Sequence, residues 1–241
     1  MILTLCHGFN LAPGKMLSLS KAIQELLPDK NIVVNNIVLT NHVSQIAPKK
    51  MEWKIWAQDV IEQSHLLKIS ESTPHYFIGY SLGGLAGLMA QSITQRKFHK
   101  QILIATPFFF NSPLTGLLRL AKFLRSPYRN YLAHNNYRAQ KLMNGSSYQS
   151  VFQMRYQFHQ AFNKDKTFFN APTLLINDPL DEIVNVKQVN QWLINNTNSL
   201  TQWKSTEFQT HPMHHVLIDP FGLGPNQWDN FISQILVFLT A

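Results

Sequence analysis

Charge is scarce in this chain. Only 14% of its 241 residues are Asp, Glu, Lys or Arg, against 45% hydrophobic, which excludes an extensively disordered polypeptide. Cysteine is scarcer still. The single thiol, Cys6, excludes an intramolecular disulfide, and no C-x-x-C pair or Cys/His cluster offers a zinc-binding pattern; the chemistry read below needs neither metal nor organic cofactor, and none is expected. No stretch reaches the roughly 18–20 apolar residues of a membrane-spanning helix. The opening residues, MILTLCHGFN, have no basic n-region and too short an apolar run for a secretory signal. These absences set the expectation of a reducing, cytoplasmic setting. Internal repeats and low-complexity tracts are lacking too, and the length suits one substantial core.

What the sequence does have is an alternation. Short apolar runs at 2–6, 31–39, 75–80, 100–108, 171–178 and 201–208 read as strands. Between and after them, 16–27, 51–67, 81–95, 186–196 and 231–239 read as helices. Trp53, Trp56, Val60 and Ile61 fall on one face of the second helix, so the two tryptophans belong to the core. Such alternation implies an α/β fold with a mostly parallel sheet covered on both faces.

Residues 109–170 break the pattern. They hold no convincing strand, and helices are expected from Pro113 up to the stop at Pro127, around 134–143 and at 148–162. This stretch reads as a helical insertion within a single domain spanning 1–241. The charge is concentrated there. Nine of the 21 basic residues but one of the 13 acidic ones lie between Arg119 and Lys166, and the rest of the chain is balanced, so the whole excess of +8 belongs to the insertion.

The chemistry centres on Gly79-Tyr80-Ser81-Leu82-Gly83, a G-x-S-x-G pattern between an expected strand and an expected helix. In that context the turn presents the serine hydroxyl at a strand end, with a helix N-terminus behind it to stabilise developing negative charge. Serine needs a base, and the base needs an orienting acid. Downstream, NDPLDEIV supplies Asp178 and Asp181, and HPMHHVLID supplies His211, His214 and His215, in the order Ser, Asp, His.

LCHGFN, GYSLGG, NDPLDEIV and HHVLIDP, taken together and in order, resemble the α/β-hydrolase superfamily, in particular its lidded esterase, monoacylglycerol-lipase and lysophospholipase-like branch. The resemblance implies an α/β-hydrolase fold and a serine hydrolase acting on carboxylic esters. It implies Ser81 as nucleophile, Asp181 in a D-x-x-V pattern as acid, and His215 ahead of Val216-Leu217 as base. Asp178 and His214 are the alternatives, and His211 is expected on a surface loop. The residue after the early His-Gly, Phe9, would pair its backbone N–H with that of Leu82 as the oxyanion hole, and His7 would support that loop. Because the chain opens on the strand before HGFN, the family's first two strands are missing and a sheet of about six strands is expected. Asn41-His42-Val43 stands where many relatives carry a Gly-His-Gly turn.

The insertion falls where relatives place a lid. Its aromatics, among them Phe108, Phe109, Phe110, Phe123, Phe152 and Phe158, either line an acyl pocket or form the lid's own core. The expected substrate is a small-molecule or lipid ester such as a lysophospholipid or monoacylglycerol. The basic face suits an anionic membrane surface. No nucleic-acid reading motif accompanies the charge, so nucleic acid is not expected as a partner. Thioesterase, peptidase and acyltransferase activities share the triad, and a non-catalytic protein binding anionic surfaces through the basic lid is the reading from another class.

Overall fold

The computed structural model describes residues 1–42, 52–68, 73–111, 128–129, 137–140, 142–143, 145–211 and 213–241. Six strands form one parallel sheet: β1 (Ile2–Cys6), β2 (Val33–Ile37), β3 (His75–Tyr80), β4 (Lys100–Ile104), β7 (Thr173–Asn177) and β8 (Trp203–Glu207), in the spatial order β2-β1-β3-β4-β7-β8. The four central strands are mainly apolar and almost wholly buried, as a sheet covered on both faces requires. The outer two, VVNNI and WKSTE, mix polar with apolar residues and are partly exposed, and their polar side chains blunt the sheet edges against further pairing. The sheet has the size expected from the sequence.

Two hydrophobic layers sandwich it. On one face, α2 (Trp53–Gln63), α3 (Leu82–Thr94), α4 (Gly145–Lys164) and α5 (Val186–Asn195) bury Trp56, Leu85, Phe158 and Val189 against Phe77, Leu103 and Leu175. On the other, α1 (Leu17–Leu26), the short α6 (Pro220–Leu223) and α7 (Pro225–Thr240) bury Leu19, Leu223 and Phe231 against Leu3, Ile78 and Ile176. Among the described residues, no helix is long and apolar enough to cross a membrane.

The chain leaves β1 for β2 on one side and then returns to β3 on the other. The carboxyl ends of β1 and β3 therefore part at a topological switch point, the place where open α/β sheets bind their ligands. Phe9 follows the first of these strands and Ser81 the second.

The stretch between β4 and β7 departs from expectation. It contains a two-residue antiparallel pair, β5 (Tyr128–Arg129) with β6 (Leu142–Met143), and residues 137–140 run as a turn and bridge rather than as a helix. Their backbone pairs with the loop after β1, and that tertiary pairing overrides local propensity. The expected helix at 148–162 is present and longer, as α4. Its buried Tyr148, Val151, Met154, Phe158 and Phe162 recur every three or four residues, and the helix packs on α2 and α3. Phe108 and Phe158 are fully buried, in ring contact with Trp192, so they are core rather than pocket lining. The expected helix between Pro113 and Pro127, with Phe123, Arg119, Lys122 and Arg125, lies outside the described residues.

Candidate active site

Ser81 sits at the apex of a sharp strand-to-helix turn. Its backbone adopts φ 51° and ψ −119°, and it immediately precedes α3. A non-glycine residue held there stores on the order of 1–3 kcal/mol of strain, tolerated when the surroundings over-determine it. They do so here. The Ser81 N–H donates to the Ile104 carbonyl at 2.8 Å, and the Gly84 N–H donates back to the Ser81 carbonyl at 3.0 Å. The helix then approaches the neighbouring strand ends so closely that a Cβ on Gly83 would lie 2.2 Å from the Cys6 carbonyl oxygen. A Cβ on Gly84 would lie 2.1 Å from Thr106 Oγ1.

The turn delivers the hydroxyl to a histidine. Ser81 Oγ lies 2.9 Å from His215 Nε2, and His215 Nδ1 lies 2.8 Å from Asp181 Oδ2. With the carboxylate accepting from Nδ1–H, Nε2 is left as the acceptor for the serine proton. Asp181 reaches this geometry through its own turn. Its Oδ1 accepts the N–H groups of Ile183 at 2.7 Å and Val184 at 2.8 Å, which leaves Oδ2 free for the imidazole. That turn is braced from the β4–β7 stretch: Asn111 Nδ2 donates to the Asp181 carbonyl at 2.9 Å, and Phe110 bridges Val184 in antiparallel fashion.

The histidine's backbone is fixed as well. Glu182 accepts the N–H of His214 at 2.9 Å through Oε1 and that of His215 at 3.0 Å through Oε2. The Tyr80 hydroxyl donates to the His215 carbonyl at 2.9 Å. Burial, reinforced by the Asp181 charge, pushes the Tyr80 phenol well above its usual range, so it stays a donor.

The two alternative residues are brought together elsewhere. Asp178, fully buried, accepts from His214 Nδ1 at 3.0 Å, from the Thr210 N–H at 2.6 Å and from the Thr210 hydroxyl at 2.9 Å. The pair thus props the histidine-bearing loop from beneath. His211 is exposed.

On the opposite side of Ser81, the loop after β1 presses in. A Cβ on Gly8 would meet the Tyr80 ring at 2.8 Å and Ser81 Cβ at 3.0 Å. Phe9 follows directly, and Leu82 opens α3; neither backbone N–H has an acceptor among the described residues. His7 is buried beneath this loop. It hydrogen-bonds the Gly8 carbonyl through Nδ1 at 2.9 Å and accepts the Leu39 N–H at Nε2 at 3.1 Å. Burial, and then the neighbouring His42, lower its pKa to about 3, so it is a neutral strut between the ends of β1 and β2. Among the described residues, no group of three or more His, Cys, Asp or Glu side chains is placed to hold a metal ion.

Sequence reading did not single out Glu182, Tyr80, Asn111 or Asn10. Glu182 and Tyr80 lie inside quoted motifs, but nothing in their spacing marks them as backbone clamps.

Solved structures match over nearly the whole chain. A structure of the metagenome-derived lipolytic enzymes LipS and LipT is similar at 15% identity and a TM-score of 0.73, covering 99% of this chain and 93% of that one. The monoacylglycerol lipase of Paleococcus ferrophilus is similar at 16% identity and a TM-score of 0.69, with the same coverage. The peroxisomal α/β-hydrolase Lpx1 of Saccharomyces cerevisiae is similar at 16% identity and a TM-score of 0.57, covering all of this chain and 77% of that one. No family model and no curated protein sequence matches. The chain has the α/β-hydrolase fold.

Proposed function

We propose that this chain is a serine hydrolase that cleaves carboxylic esters through an acyl-enzyme. The observation that carries the proposal is the unbroken line from Ser81 Oγ to His215 Nε2 and from His215 Nδ1 to Asp181 Oδ2, at 2.9 and 2.8 Å. His215 takes the hydroxyl proton as Oγ attacks the ester carbonyl, and Asp181 stabilises the imidazolium that forms. The Phe9 and Leu82 amides hold the oxyanion. The imidazolium then protonates the leaving alkoxide, and collapse of the tetrahedral adduct leaves the acyl group on Ser81. Water, deprotonated by the same histidine, attacks that acyl group, and Ser81 leaves with the proton. The substrate is a medium- or long-chain acyl ester such as a monoacylglycerol or lysophospholipid. The fold's likeness to lipolytic enzymes and to a monoacylglycerol lipase supports this choice. The basic residues around 119–141 favour docking on an anionic lipid surface.

The test is covalent labelling with a fluorophosphonate probe, together with turnover of p-nitrophenyl esters of rising chain length. The wild type should label and hydrolyse. Ser81→Ala should not label, and its turnover should fall by a factor of about 10⁴ or more. A folded wild type that neither labels nor hydrolyses any of the esters would sink the proposal.

A further inference from the structure

The Phe9 amide lies at the centre of a tight turn. The Leu11 N–H donates to the Gly8 carbonyl at 3.2 Å, so Phe9 and Asn10 are the two middle residues. Asn10 has φ 53° while Phe9 does not, and positive φ at the third position alone is what a type II turn demands and what asparagine tolerates well. The direction of the Phe9 N–H therefore depends on how this turn is held. One side rests on Tyr80 and Ser81, through Gly8.

The other side is held by residues 137–140, from the stretch between β4 and β7. The Asn10 side chain, 1% exposed, pairs with both ends of one residue's backbone. Its Oδ1 accepts the Gln140 N–H at 2.8 Å, and its Nδ2 donates to the Gln140 carbonyl at 3.0 Å. The Asn10 carbonyl accepts the Ala139 N–H at 2.9 Å, and the Ala12 N–H donates to the Tyr137 carbonyl at 2.9 Å. Leu11 and Arg138 form an antiparallel bridge between these contacts. The same segment reaches past the catalytic histidine: the Tyr137 hydroxyl donates to Asp219 Oδ1 at 3.0 Å, four residues beyond His215. Residues 137–140 thus tie the turn bearing Phe9 to the loop bearing His215.

We infer that Asn10 is a positioning residue, which aims the Phe9 N–H by clamping its turn onto Gln140. This inference rests on the ester-hydrolase reading above. Oxyanion donors act only within a narrow distance from the developing charge, and a displacement of about 1 Å can cost on the order of 100-fold in rate. Asparagine alone supplies a donor and an acceptor at this reach together with easy access to positive φ. Aspartate keeps the acceptor but sets a carboxylate oxygen against the Gln140 carbonyl. Glycine keeps the turn's conformation and abandons the grip.

The experiment compares wild type with Asn10→Gly, Asn10→Asp and Asn10→Ser. Turnover is expressed per active site titrated with a fluorophosphonate. The expected result is a fall in kcat of about 10- to 100-fold with KM within about threefold. Inhibition by a trifluoromethyl ketone, whose adduct carries an oxyanion, should weaken by a similar factor. A role confined to the fold would lower the melting temperature and the fraction of titratable sites while leaving kcat per site unchanged, and that result overturns the inference. Failure of all three variants to fold would assign Asn10 to stability and overturn it equally. A wild type without labelling or turnover would instead remove the ester-hydrolase reading, and the inference with it, before any variant is compared.

Discussion

Asp178 accepts from His214 Nδ1 at 3.0 Å, a second acid–imidazole pair beside the one that Asp181 makes with His215 at 2.8 Å. Neighbouring residues of one loop thus have opposite duties. His215 turns its far nitrogen to Ser81, while His214 and Asp178 anchor the loop through Thr210.

Substitution should separate the two pairs. His215→Ala and Asp181→Asn should lower kcat by about 10³- to 10⁴-fold or more with little change in melting temperature. His214→Ala should keep kcat within a few-fold of wild type. Asp178→Asn puts an NH₂ group among donors that need an acceptor, so it should cost roughly 2–3 kcal/mol of stability by urea unfolding. If His214→Ala were as inactive as His215→Ala, the roles given to the two histidines would be wrong.

The turn at Ser81 predicts an equally sharp contrast between glycines. Gly84→Ala would drive a methyl against buried Thr106, so a loss of about 3 kcal/mol or more is expected. Gly14 lies in the short turn of helix ahead of α1 and has an ordinary φ; a methyl there would meet its nearest neighbour at 3.8 Å. Gly14→Ala should therefore be neutral or slightly stabilising. Thermal unfolding of the two variants tests this.

Acid should unfold the protein through its buried histidines. Burial, as the main cause, lowers the pKa of His7 to about 3 and of His42 and His75 to about 4, from an ordinary value of 6.5. The unfolded chain therefore binds protons at these sites between about pH 6.5 and 4 that the folded chain refuses. Stability is fully present above that window and is lost as pH falls through it, at up to about 4 kcal/mol per pH unit near pH 5 if all three contribute. Asp59, whose carboxyl burial raises, opposes this as one group against three. Urea unfolding at pH 7 and pH 5 should differ accordingly, and His75→Gln should flatten the dependence by about one proton. A flat profile would contradict it.

Much of this was legible in the sequence, because burial leaves a periodic signature. HYFIGY is a strand over the range its apolar run predicts, and Ser81, Asp181 and His215 lie on the loops their motifs indicate. Strand ends were less legible. The run at 31–39 gives a strand ending at Ile37, because the Leu39 N–H turns away to His7; the run at 100–108 stops at Ile104, because Ala105 takes φ 46°. Least legible was the segment at 137–140. Its conformation is set by hydrogen bonds to the backbone and side chain of a loop some 130 positions earlier, and such bonds leave no hydrophobic pattern.

That segment has a counterpart at the start of the β4–β7 stretch, where Phe109, Phe110 and Asn111 pair with residues 181–185. The stretch is thus riveted near its start to the turn bearing Asp181 and near its middle to the turn after β1. A transplant of residues 109–170 between enzymes of this fold would carry half of each joint and leave the other half behind. The exchangeable cassette is larger and discontinuous. To graft this stretch onto another scaffold of the fold, residues 8–12 and 181–185 have to travel with it.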